Sequence, residues 1–133
     1  MKKRLIIAFW LIVLSAVLVA CANRGYADDV VLDTGSSEIY STDEISAAMD
    51  AVIRKFADFE GCTLTKLWYD EGFSNPRTKD YESGTAIVLL CEFDVDSSGG
   101  DGSFNPNSTY SNWQWILTRE SDSADWQVVN WGF

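Results

Sequence analysis

The sequence predicts an α+β domain, one long N-terminal helix packed on a curled sheet of four antiparallel strands, preceded by a signal segment. Three observations lead there. A helix start at Ser41-Thr42-Asp43-Glu44 is followed by one apolar stripe at helical spacing. Four runs rich in β-branched and aromatic residues fill the chain beyond it, parted by Gly, Asn, Asp and Ser. Residues 1–20 differ in composition from everything that follows.

That opening segment has the form of a bacterial lipoprotein signal. Lys2, Lys3 and Arg4 make a basic start, and Leu5 to Ala20 is apolar except for Ser15. It ends in Leu18-Val19-Ala20-Cys21: a branched apolar residue, an apolar one, a small residue where a signal peptidase cuts, and a thiol for thioether linkage to diacylglycerol. Sixteen residues of helix cover about 24 Å, short of a hydrocarbon core of about 30 Å, so cleavage explains the segment better than a retained span. The expectation is residues 1–20 removed, Cys21 acylated, and the domain held at the extracytoplasmic face of the cell membrane. Two or three acyl chains on one cysteine give durable anchoring.

Residues 21–40 read as a lipidated tether of Gly, Ser and Asp, with Val30-Val31-Leu32 as an edge-strand candidate, and residues 41–133 as one domain. The helix is expected from about Thr42 to Glu60: Ser41 caps it, Glu44 reaches back, and Gly61 supplies the C′ position. Ile45, Ala48, Met49, Val52, Phe56 and Phe59 form its apolar stripe. Strands are expected at Cys62–Asp70, Thr85–Val95, Tyr110–Arg119 and Asp125–Phe133, with 71–83 a polar loop. Thr85–Val95 is almost wholly apolar, as for a central strand buried on both faces. In Tyr110–Arg119, Trp113, Trp115 and Leu117 share one face. One helix followed by such strands is a two-layer arrangement in which the sheet curls over the helix; cystatin-like and nuclear-transport-factor-2-like folds have this order.

With Cys21 lipidated, Cys62 and Cys91 remain. If their strands pair around a loop centred near residues 75–77 they fall nearly opposite each other, and a disulfide is open to them outside the cytoplasm. Two buried free thiols serving as small apolar residues fit equally well.

The stretch Asp94-Val95-Asp96-Ser97-Ser98-Gly99-Gly100-Asp101-Gly102 opens like a calcium loop, with oxygen donors at alternate positions and glycine at the sixth. The pattern fails at its twelfth position, where Asn105 replaces the bidentate Glu. A wide strand connection is the simpler reading, with weak Ca²⁺ binding by Asp94, Asp96 and Asp101 as the alternative.

Cleavage before Cys21 would take three of the ten basic residues and none of the twenty acidic ones. So acidic a chain argues against nucleic-acid binding and against an electrostatic hold on anionic lipid headgroups. It contains no histidine, which removes Ser–His and Cys–His nucleophile pairs and the commonest general base. Carboxylate pairs such as Asp70 with Glu71, or Glu92 with Asp94, leave a small carboxylate-dependent hydrolase as a minor alternative. The expectation is a monomeric, non-enzymatic binding or interaction domain without a resident cofactor. Its partner would be a small molecule, a peptide or a membrane protein, met by an aromatic-lined face drawn from Trp68, Tyr69, Trp113, Trp115 and Trp131. Each of those rings is read first as core and second as ligand contact.

Across roughly residues 38–133 the chain resembles small, uncharacterised lipoproteins of Gram-positive, clostridia-like bacteria. The resemblance lies in Phe59-Glu60-Gly61-Cys62-Thr63-Leu64, Ala86-Ile87-Val88-Leu89-Leu90, the Asp94–Gly102 loop and the closing Trp126-Gln127-Val128-Val129-Asn130-Trp131-Gly132-Phe133. It implies a nuclear-transport-factor-2-like or cystatin-like fold and brings no activity or site residues with it.

Overall fold

The computed structural model describes residues 30–133. The class is α+β: two helices and a five-stranded mixed sheet in the order β1-β2-β3-β4-β5, where β1 is Val31–Asp33, β2 Cys62–Trp68, β3 Ala86–Val95, β4 Thr109–Thr118 and β5 Gln127–Gly132. Helix α1 spans Thr42–Phe56 and helix α2 spans Glu71–Arg77. The signal segment and Cys21 lie outside the described residues.

The capping box forms as the sequence predicts. Ser41 Oγ accepts from Glu44 N–H and Glu44 Oε1 from Ser41 N–H, each at 3.1 Å. Ile45, Ala48, Met49, Val52 and Phe56 are all buried against the inner face of the sheet, on Leu64, Leu67, Ile87, Leu89, Phe93, Trp115 and Leu117. Burial of each such side chain contributes about 1.5–3 kcal/mol, and this stripe is what fixes the helix on the sheet. As expected of a central strand, β3 is buried on both faces for most of its length.

The structure corrects the expectation at four places. The sheet has a fifth strand: β1 pairs in parallel with β2, Leu32 opposite Leu67. Residues 30–40 therefore belong to the folded unit and are no tether. Tyr40 is buried, its hydroxyl donating to Ala86 O at 2.5 Å.

Helix α1 stops at Phe56, four residues early. Bonds from Asp58 N to Lys55 O and Phe59 N to Phe56 O close tight three-residue turns instead of a further helical turn. Gly61, at φ +68°, sits in the entry to β2, where a Cβ would lie 2.6 Å from Ser98 Oγ.

The expected polar loop at 71–83 begins with α2. Asp70 caps it by accepting from Gly72 and Phe73 N–H, and Pro76 sits inside its last turn, where it supplies no amide donor. Just past the end of β2, α2 lies beside β3, and the buried Ser74 Oγ accepts Val88 N–H at 3.0 Å, satisfying a strand donor that β2 no longer reaches.

The fourth place is the cysteine pair, for which the sequence leaves a disulfide and two free thiols both open. Because α2 takes up chain in the β2–β3 connection, the ladder centres near residue 79 rather than 76. Cys62 lies opposite Val95 and Cys91 opposite Leu67. Five residues of strand, about 16 Å at ~3.3 Å per residue, separate the two thiols' positions, and both are free.

Candidate functional site

Where α1 unwinds, Phe59 leaves the helical stripe and turns toward the end of the sheet. It becomes the centre of an aromatic cluster. Its ring meets Phe104 at 5.9 Å, Trp113 at 6.5 Å and Trp131 at 6.3 Å between centroids. Between these four rings opens a cleft of about 470 Å³, closed at its sides by Lys55, Asp58, Glu60, Gly100, Asp101 and Ser103. The volume falls in the range of small-molecule pockets.

Three elements build it. The first is the turn after α1. The second is the inner face of β4 and β5, whose register sets Trp115 opposite Trp131. The third is the glycine-rich connection between β3 and β4. Asp96 N–H donates to Gly61 O, and Asp96 O accepts from Gly99 and Asn107 N–H, which pins the base of that loop. Gly99, Gly100, Asp101 and Gly102 all have positive φ, and the coil they form carries Phe104 back over the cluster. At Gly100 a Cβ would meet Phe104 Cδ2 at 2.8 Å and Glu60 O at 3.0 Å, so glycine there lets the loop close on the turn after α1.

Of the five aromatic candidates from the sequence, the cleft brings together two, Trp113 and Trp131. Trp115 and Tyr69 are core: Trp115 is fully buried with Nε1 donating to Cys91 Sγ at 3.0 Å, and Tyr69 is buried with its hydroxyl donating to Glu71 at 3.0 Å. Trp68 stands at the opposite end of β2, under Lys66. Phe59, Phe104 and Lys55 are among the lining residues that sequence reasoning missed, with Asp58, Glu60, Gly100 and Ser103. A single large apolar residue in a run of Gly, Asp, Ser and Asn was the available signal for Phe104.

Trp113 has a further feature. Its Nε1 is the one buried side-chain polar atom among the described residues without a hydrogen-bond partner. The Trp113 ring makes edge-to-face contacts with Phe93, Phe104, Tyr110 and Phe133. The indole N–H is thus held desolvated in the cleft wall.

The acidic candidates are spent on local structure. Asp94 accepts from Thr109 Oγ1 at 2.6 Å, Asp96 from Ser98 N at 2.8 Å and Ser98 Oγ at 2.5 Å, and Asp101 from Ser103 Oγ at 2.6 Å. These bonds hold the Asp96 carboxyl below its usual range, the Ser98 hydroxyl first and the Ser98 amide second. Among the described residues no three carboxylate or thiol side chains converge as a metal ion would require, and the half calcium pattern folds as Asx turns.

The carboxylate pairs fare similarly. Glu92 accepts from Ser111. Asp70 is a helix cap, and Glu71 accepts from Ser37 Oγ, Glu38 N–H and Tyr69 O–H, in a second recess shared with Trp68. The Ser37 hydroxyl, then the Glu38 amide, keep Glu71 below the ordinary carboxylate range, the wrong direction for a general acid. Both thiols are pushed up by burial, Cys91 to about 12, so neither is a poised nucleophile.

No family model, curated protein or solved structure matches the chain.

Proposed function

We propose that this chain is a lipid-anchored, extracytoplasmic, non-enzymatic binding domain that takes a small molecule in the cleft between Phe59, Phe104, Trp113 and Trp131. The observation behind this reading is an open cleft of about 470 Å³ walled by four aromatic rings, one of which, Trp131, is 42% exposed. Large rings in a domain this small normally close into core, as Trp115 does. Here the glycine coil holds Phe104 on one side, Trp131 stands on the other, and the gap between them stays open. The basic-then-apolar leader ending in Leu18-Val19-Ala20-Cys21 supports the anchor, as does the likeness to small lipoproteins. The absence of histidine from the sequence supports the non-enzymatic part.

The test titrates tryptophan emission of residues 22–133, which contain every element described above, against a panel of small aromatic and aliphatic probes that are cationic, neutral or anionic. A saturable change that disappears in Trp131→Ala and persists in Trp68→Phe is the expected result. If no member of the panel gives a Trp131-dependent response, the cleft is not a binding site. The anchor is tested separately by palmitate labelling, which Cys21→Ala should abolish.

A further inference from the structure

We infer that the occupant of this cleft is a small organic cation with an alkylammonium head group, an inference that rests on the cleft being a binding site at all. The cleft already holds one cation of its own. Lys55 Nζ lies 5.0 Å from the centroid of the Trp131 ring and 3.5 Å from Asp58 Oδ2. An ammonium over an indole face with a carboxylate beside it is the arrangement that aromatic cages offer to alkylammonium ligands. Lys55 and its partner Asp58 are both solvent-accessible, at 38% and 73% of their side chains, so the pair is a loose surface contact that can open.

The rim points the same way. Around the cleft Lys55 faces three carboxylates, Asp58, Glu60 and Asp101, the last two of them exposed and without a basic partner among the described residues. The whole chain carries a net charge of −10, so a cation is drawn toward this surface and an anion repelled. Phe59, Phe104 and Trp113 supply the apolar wall against which the alkyl groups of such a cation pack. Lys55 is then a placeholder: it occupies the Trp131 face in the free protein and swings aside when a better-matched cation enters. That is a binding competition within one molecule and involves no covalent step.

The experiment compares choline with its uncharged carbon isostere, 3,3-dimethylbutan-1-ol, on the 22–133 domain by tryptophan emission and calorimetry. Choline is expected to saturate with a Trp131-dependent change and to weaken as salt is raised. Lys55→Met is expected to tighten choline by about two- to fivefold, because the competing cation is gone. Glu60→Gln with Asp101→Asn should loosen it by a similar factor. These three residues are exposed or partly exposed, so the variants are expected to fold even where Trp131→Ala does not.

Equal binding of the alcohol and choline would overturn the cation assignment while leaving the cleft as an apolar binding site. Choline binding that is unchanged or weakened in Lys55→Met would overturn it too. No response to either probe, with a Trp131-dependent response to anionic members of the wider panel, would reject the cation and keep the binding domain. Silence across the whole panel would reject both.

Discussion

Arg119 ties the start of α1 to the end of β4 and the turn that follows it, and its removal should show it. The guanidinium is almost wholly buried. Its Nε donates to Gly84 O at 2.8 Å, one terminal nitrogen donates to Glu44 Oε2 at 2.6 Å, and the other reaches Asp122 O at 3.3 Å. Its Cζ lies 4.3 Å from the Trp126 ring centroid, and Trp126 Nε1 in turn donates to Glu44 O at 3.1 Å. The start of α1, the end of β4 and the entry to β5 are thus closed around one charge.

Breaking a buried ion pair by removing one partner costs about 3–5 kcal/mol. Glu44 keeps 32% of its side chain exposed and can rehydrate, which places Arg119→Ala near the lower bound, about 3 kcal/mol. At about 4–8 °C per kcal/mol for a domain of this size, the midpoint should fall by roughly 12–24 °C. Ser41 N–H and Arg119 bond different oxygens of Glu44, so Glu44→Gln keeps an acceptor for only one of them and sets an NH2 donor against the other, at a cost of about 1–3 kcal/mol.

The pH dependence has a fixed sign. The Ser41 backbone amide first, and Arg119 second, hold Glu44 below its ordinary value of 4.5. Its stabilising contribution is therefore complete above about pH 4.5 and is lost as pH falls through the lowered value. Glu44→Gln should flatten that part of the acid limb. Urea unfolding from pH 3 to 7 measures the free energies, a thermal melt at pH 7 measures the midpoint, and an Arg119→Ala loss under about 1 kcal/mol at pH 7 would refute the reasoning.

Three further outcomes are expected. Trp113→Phe removes an indole N–H that has no partner but also part of the ring packed on Phe93, Phe104 and Phe133, so the relief offsets the lost packing and the cost should stay below about 2 kcal/mol, under the ~3–5 kcal/mol of emptying an aromatic site; a larger loss in urea would mean that freeing the N–H brings the fold no gain. Cys91, buried and raised to about 12, should resist a thiol reagent in the folded domain, with Cys62 reacting slowly; two thiols per domain should titrate in denaturant without prior reduction, whereas fewer would restore the disulfide. Gly100→Ala should cost about 1–2 kcal/mol of backbone strain and also shift Trp131 emission by displacing Phe104, while Gly102→Ala, at φ +94° with open space around it, should show the strain alone.

What the sequence made legible follows from the range over which each feature is decided. The capping box, the stripe from Ile45 to Phe56 and the doubly buried β3 rest on neighbours within a turn or on a two-residue alternation, and they form as expected. The class of the fold follows from them. Strand β1 was visible only as three apolar residues, too short a run to outweigh the Gly and Ser around it; its place depends on an edge of β2 that no local pattern reveals.

Helix α2 was hidden because Gly72 and Pro76 argue for a loop, whereas Asp70 as cap and the Ser74–Val88 bond settle the matter through tertiary contact. Missing it moved the hairpin centre by about three residues, and with it the imagined pairing of Cys62 and Cys91.

The cleft was least legible of all. Phe59 belongs to the helical stripe by spacing and leaves it only because the last turn tightens after Phe56. Phe104 reaches the cluster only because four successive residues take positive φ, a property that three glycines permit but do not announce. Tryptophan counting could name Trp113 and Trp131 but could not separate them from Trp115, which sits on the same face of β4 as Trp113 and differs only in what covers it. A site assembled from a helix end, a strand face and a loop is set by how three segments meet, and the residues that decide the meeting, Gly61 and Gly100, have no side chain to signal their role.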